Sequence, residues 1–335
     1  MLSTTRAPAH VRARVVALAI SAVTLAAARV VHADPLPPEV GWDYGDLETP
    51  RIAAMGGAVR AFSNSVDALF INPAGMASVP VYHIGGLVEI WPEANRQSYA
   101  AGIVDSILSS TKLAGGIGGA WTRQNPHGLG PGALGREAAD VRLALAFPFS
   151  DKFMIGAGGR YLNLHQNGDG PLGPSLASGG LHRKAIIDGF GFDLGATVRI
   201  AQSLGLALVG SNINAPDNGL QPATLGGGVG YGNENFTLEG DVVGDFTTWE
   251  KTTLRAMIGF EYLAGDHFPL RIGYRFDQGA ESHALSAGVG YVDPAFSLDL
   301  GLRRVIVGDA ATAIFVAFVY HLESTGLAPS GSDSF

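Results

Sequence analysis

His165 stands beside Asn163, Asn167 and Asp169, a base with potential orienting partners of the kind a serine hydrolase uses. Such chemistry also needs a serine hydrogen-bonded to the base. The nearest serine, Ser175, lies in a Gly/Pro-rich stretch, so the cluster reads as a histidine at a strand end. Asn167-Gly168-Asp169-Gly170 offers loop oxygens suited to calcium, but no ligand set of the EF-hand kind follows it, and the segment reads as a turn. Gly115-Gly116-Ile117-Gly118-Gly119 and Gly226-Gly227-Gly228 have the glycine content of a phosphate cradle. Neither is followed by a helix or a lysine, and both read as glycines within strands. With no cysteine in the chain, thiolate metal sites, disulfides and a Cys-linked lipid are all excluded. The expectation is a protein that is not an enzyme, with no catalytic residue, metal or cofactor.

The remaining candidates are charges that recur at every second position. Leu270, Ile272, Tyr274 and Phe276 alternate with Arg271, Gly273, Arg275 and Asp277, a period of two that marks a strand with one apolar and one polar face. The same split separates Leu254, Ile258, Phe260 and Tyr262 from Arg255 and Glu261, and Phe296, Leu298, Leu300 and Leu302 from Asp299 and Arg303. Strands are predicted at 81–92, 96–108, 112–125, 138–149, 152–165, 185–200, 204–214, 222–233, 236–247, 251–264, 268–278, 282–293, 296–308 and 310–322. Aromatic residues bracket the short turns, from Phe147 to Phe153, Tyr231 to Phe236, Tyr262 to Phe268 and Tyr291 to Phe296. Rings at those positions form the interfacial girdle of a membrane barrel. The fold expected is all-β: a transmembrane antiparallel β-barrel of about 14 strands. The Gly/Pro-rich stretches 125–137 and 166–184 read as its longest outer loops.

The first 33 residues carry Arg6, Arg12 and Arg14, an apolar run from Val15 to Ala28, and small residues before Asp34. They read as a signal peptide cleaved near Ala33. Its removal takes four Arg and no acid, moving the formal charge from −8 to −12, which disfavours nucleic acid as a partner. The chain has 47 glycines, 47% hydrophobic content and only 16% charge; that balance suits thin, closely packed strands better than a soluble enzyme. Residues 81–322 form the barrel, and 323–335 read as a polar tail.

Residues 34–80 do not alternate and are too apolar for a loose leader, so they are expected to fold inside the lumen as a plug, or hatch. Met55-Gly56-Gly57-Ala58, Asp67-Ala68 and Asn72-Pro73-Ala74-Gly75-Met76-Ala77 lie within them. This pattern resembles the N-terminal signature of the FadL-type outer-membrane transporters of long-chain fatty acids and hydrophobic compounds, and of the related PorV/PorQ proteins. The resemblance implies a fourteen-stranded barrel with an N-terminal hatch near a break in the wall. Physically, Pro73 fixes its φ, Asn72 bonds nearby backbone, and Gly75 admits an unusual φ, so Asn72, Pro73, Ala74 and Gly75 are the candidate hatch turn.

Met55, Phe62, Leu69, Phe70 and Met76 are candidate lining for an apolar ligand pocket, or equally plug core. Arg142, Asp193, Arg199, Glu239, Asp241, Arg255, Glu261, Arg271, Arg275, Asp299 and Arg303 are predicted to face inward. Mixed signs favour a paired network bonding the plug to the wall over a selectivity filter. The expected role is passive uptake of long-chain fatty acids or other small hydrophobic molecules across the outer membrane of a Gram-negative bacterium, with membrane lipid around the barrel. The candidate outer-loop apolar anchors are few: Leu129, Leu134, Leu172, Leu176 and Leu181. This leaves open the alternative of a PorV/PorQ-like, non-transporting scaffold for secreted proteins.

Overall fold

The computed structural model of the chain describes residues 47–108, 112–127, 134–167, 185–216, 220–249, 251–309 and 311–322. The segments expected to be a signal peptide (1–33), the start of the plug (34–46) and a polar tail (323–335), together with Asp169 and the loop anchors Leu129, Leu172, Leu176 and Leu181, lie outside the described residues. The strands are β1 Tyr82–Trp91, β2 Arg96–Asp105, β3 Ala114–Gln124, β4 Gly135–Ser150, β5 Phe153–Asn167, β6 Ala185–Ala201 and β7 Leu204–Ser211. The second half comprises β8 Thr224–Gly232, β9 Phe236–Asp245, β10 Thr253–Ala264, β11 Phe268–Asp277, β12 Ser282–Val292, β13 Phe296–Val307 and β14 Thr312–His321. Each pairs antiparallel with its chain neighbours, and β14 pairs with β1, His83 opposite His321 and Ile90 opposite Ile314, to close the barrel.

Strand ends fall within three residues of the sequence expectation. One of the larger shifts is informative: β4 begins at Gly135, three residues before the predicted 138, and runs to Ser150. Arg136 Nε donates to Gln166 Oε1 at 2.7 Å, and the β4–β5 ladder continues to Gly135 opposite Asn167. The side-chain bond extends the hairpin and shortens the loop expected at 125–137.

Alternation has the expected sense. In β4, Val141, Leu143 and Leu145 are exposed, while Asp140, Arg142, Ala144 and Ala146 are buried. Ile272 is 61% exposed beside the 7% of Arg271. Apolar side chains turned outward around a closed sheet need a nonaqueous neighbour. Rings cluster where the short turns lie: Tyr231 with Phe236 at 5.9 Å, Tyr291 with Phe296 at 5.7 Å, and Phe149 with Phe153 at 5.7 Å between centroids. Among the described residues no helix is long and apolar enough to cross a membrane.

Residues 47–80 lie within the barrel. They contain α1 (Pro50–Ala54), α2 (Ser65–Ile71) and a 3-10 turn (Pro73–Ala77). Thr49 caps α1 by accepting from the Ile52 amide at 3.3 Å, and Pro50 occupies its first turn, where a missing N–H costs nothing. Helices of five and seven residues are too short to persist alone. The wall holds them.

Candidate functional site

The wall receives this inner segment through paired glycines. The inward cross-strand glycine pairs include Gly102 opposite Gly118, Gly156 opposite Gly195, Gly205 opposite Gly230, Gly259 opposite Gly273, and Gly288 opposite Gly301. Each pair makes a shallow socket that one inner group fills. Leu69 enters the first, Asn72 and Pro73 the second, Phe62 the third, Met55 the fourth, and Ala54 with Pro50 the fifth. A methyl group on Gly259 would lie 2.5 Å from the Met55 carbonyl oxygen, and one on Gly156 would lie 2.5 Å from the Pro73 carbonyl carbon. Both are impossible contacts.

Of the five candidate pocket residues, Met55, Phe62 and Leu69 therefore occupy sockets, and Met76 packs against Gly116. Met55 and Met76 are fully buried, where each such side chain contributes about 1.5–3 kcal/mol relative to exposure. Phe70 lines open space.

Asn72 is fully buried and makes three bonds. Its Oδ1 accepts from the Ala74 amide at 3.1 Å, and its Nδ2 donates to the Arg60 carbonyl at 2.8 Å and to Thr197 Oγ1 on β6 at 2.9 Å. The side chain thus caps its own turn and ties it to the wall. Asn72→Ala is expected to cost about 2–4 kcal/mol of docking, one cap plus two buried partners left unpaired. Hydrogen exchange of residues 72–78, rising while barrel amides stay protected, is the readout.

The inward charges form pairs reaching from wall to inner segment. Glu48 accepts from both Arg275 and Arg303, and Arg275 Nε also donates to the Gly56 carbonyl at 3.0 Å. Burial alone would push the Glu48 carboxyl up, but the two guanidiniums hold it down at about 2. Arg51 bridges Asp67 and Glu261, each at 3.3 Å. Glu261 accepts in turn from Arg271 at 2.5 Å, and Arg271 pairs with Asp299. Burial raises Asp67 against the pull of Arg51. Arg60 pairs with Asp241 at 2.9 Å, and Glu239 accepts from the Ala61 amide. Arg142 donates to the Phe70 carbonyl at 2.9 Å, and Arg199 to that of Ser78 at 2.8 Å. Asp193 accepts from the Asn212 amide at 2.7 Å, and Arg255 borders a polar cavity described below.

The partners on the inner segment Glu48, Arg51 and Arg60 escaped sequence reasoning, and Asp67 stood out there only as part of the plug pattern, because residues 47–80 have no strand period to place them. Asp140, which joins Arg142 at 3.2 Å and Arg160 at 2.7 Å, had a signal: it shares the inward parity of Arg142. His165 is exposed on β5 opposite Glu137. Among the described residues no group of three or more His, Asp or Glu could hold a metal ion.

Two cavities meet at Phe70. On the short-turn side, a cavity of about 400 Å³ is bordered by Val66, Phe70, Leu87, Leu263 and Val319, by His83 and His321, and by the charged Arg51, Asp67, Glu261, Arg271 and Asp299 of the network above. On the long-loop side, about 80 Å³ is bordered by Arg60, Arg142, Arg160, Arg255 and Asp193, and again by Phe70. The Arg142 guanidinium lies 5.2 Å from the Phe70 ring centroid, a cation–π contact that fixes the ring between the two spaces.

This barrel with an inner N-terminal segment is matched among solved structures. The Ralstonia pickettii toluene transporter TbuX superposes with a TM-score of 0.61 at 15% identity, over 83% of this chain and 99% of that one. The CymD monoaromatic hydrocarbon channel gives 0.59 at 15%, over 82% and 97%. The Pseudomonas aeruginosa FadL homologue gives 0.55 at 14%, over 82% and 98%. The fold is that of the FadL-type channels. No family model matches the sequence, and no curated protein does; the likeness is one of fold. What the barrel does rests on its own cavities and contacts.

Proposed function

We propose that the protein is a non-catalytic outer-membrane channel for passive uptake of small hydrophobic molecules, long-chain fatty acids or smaller hydrocarbons, with residues 34–80 as its hatch. The observation that carries this reading is the 400 Å³ cavity, its exposed lining mostly apolar although the Arg51 network borders it, separated by Phe70 from a polar cavity on the long-loop side. Its volume falls in the range of small-molecule sites. An even strand number places both barrel ends on the periplasmic side. A ligand from outside then meets the polar cavity, passes Phe70 and reaches the apolar one. The Asn72–Gly75 turn anchors α2, which carries Phe70, so a shift of that turn moves the gate. Binding differences drive the passage; nothing is hydrolysed. Solved structures of the same fold are described as toluene transporters and a monoaromatic hydrocarbon channel, which supports the reading.

The test is uptake of labelled toluene and a labelled long-chain fatty acid by cells lacking the protein and carrying native, Phe70→Ala or Phe70→Trp copies at equal membrane levels. Native copies are expected to restore uptake of at least one compound. Phe70→Ala, which joins the cavities, is expected to raise its rate roughly tenfold, the effect of ~1.4 kcal/mol on a barrier; Phe70→Trp is expected to lower it. No restoration of either compound by the native copy would sink the channel reading and favour the scaffold for secreted proteins.

A further inference from the structure

The wall is notched at one point on its short-turn rim. β3 begins at Ala114 opposite Ala146, yet β4 continues to Ser150. The β4–β5 hairpin therefore projects past its β3 neighbour over 147–150, about 13 Å at the rise of an extended strand. A cavity of about 640 Å³ borders the step, lined by Lys112, Ser150, Asp151, Arg199 and Ser78 among others.

Arg199 is half-buried, and its Nη2 donates to the Ser78 carbonyl at 2.8 Å. No carboxylate pairs with it among the described residues, unlike Arg51, Arg60, Arg142, Arg271, Arg275 and Arg303. Among the described residues Asp151 is the acid that lines the cavity. On the outer side of the same hairpin, Phe149 is 61% exposed, meeting Phe147 at 5.3 Å and Phe153 at 5.7 Å. Such rings mark the level of the bilayer's polar surface, where lipid phosphates lie. A guanidinium left with spare donors at that level, reached through a side notch, suits a phosphodiester.

We propose that the notch binds the headgroup of an anionic phospholipid from the adjacent leaflet, with Arg199 and Lys112 holding the phosphate and Phe147, Phe149 and Phe153 beside the acyl chains. The inference rests on the membrane placement given above, but not on transport.

The test uses the purified full-length protein in uncharged detergent, with phosphatidylglycerol, phosphatidylcholine or glycerol 3-phosphate added, and native mass spectrometry to count retained molecules. Phosphatidylglycerol is expected to stay bound to the native protein, phosphatidylcholine and glycerol 3-phosphate to be lost. Each charge removed, in Arg199→Gln or Lys112→Gln, is expected to weaken retention about fivefold, and Arg199→Lys to restore most of it. Lys112 is exposed, so Lys112→Gln remains informative if Arg199→Gln disturbs the Ser78 contact. Equal retention of the two lipids, retention unchanged in Lys112→Gln, or equal binding of glycerol 3-phosphate would overturn the proposal. Uptake plays no part in the readout, so a failed transport assay leaves this result standing.

Discussion

Gly273→Val is expected to release α1 from the wall while the barrel stays closed. The added side chain would overlap the Met55 carbonyl carbon and the Gly56 amide nitrogen, backbone atoms that cannot turn aside as a side-chain tip can. Gly56 and Gly57 themselves have φ of +67° and +94°, so the loop they form has little room to readjust without strain. Overpacking of this kind costs about 1–3 kcal/mol even where neighbours relax, and here the opposite residue, Gly259, leaves the same socket shared with Met55. The outward residues Ile272 and Tyr274 are untouched, and the pairing of β11 with β10 and β12 is backbone pairing that valine supports. The expected signature is loss of hydrogen-exchange protection at residues 50–58, higher conductance in planar bilayers, and an unchanged melting transition of the barrel. Conductance and exchange equal to native would show that the sockets do not hold the segment.

A comparably large effect is expected at Glu48. Glu48→Gln leaves Arg275 and Arg303 facing each other across a neutral amide, and breaking a buried ion pair from one side costs about 3–5 kcal/mol. The pH dependence follows from the same contact. The carboxyl lies near 2 in the folded protein against 4.5 ordinarily, so its folded value is depressed. Its contribution, roughly 3 kcal/mol, is present in full above the ordinary value and is lost as pH falls from there through about 2. Conductance of the native barrel is expected to rise across that acid window, while Glu48→Gln conducts more at neutral pH and loses the acid step. A native acid step that persists in Glu48→Gln would assign it to another carboxylate.

What was legible in the sequence follows from period. A wall with lipid on one face and a filled lumen on the other imposes a two-residue alternation on every strand, so Leu270 to Asp277 announces itself. Turns bracketed by rings mark the strand ends. The inner segment has no such imposed pattern, since α1 and α2 touch wall on several sides at once. Its helices were therefore not foreseen, and Met55, Phe62 and Leu69 could not be divided between pocket and packing. The decisive clue lay in the wall instead: inward glycines at 102, 118, 156, 195, 259 and 273 are absences of side chain, which mean something only once the strand register sets them opposite one another. Asn72 was legible as a turn former, whereas its bond to Thr197, 125 positions away, was not.

The pairing of β14 with β1 carries a consequence for assembly. Glu48 is made early, and its partners Arg275 and Arg303 follow 227 and 255 positions later, so the contacts that seat the inner segment span nearly the whole described chain. Contacts of such sequence separation form late, and the cylinder has no seam until its last strand arrives. The wall must therefore be wound around residues 47–80, which would act as a mandrel whose protruding Leu69, Phe62 and Met55 meet the glycine pairs in the order β2–β3, β7–β8 and β10–β11 as hairpins are added.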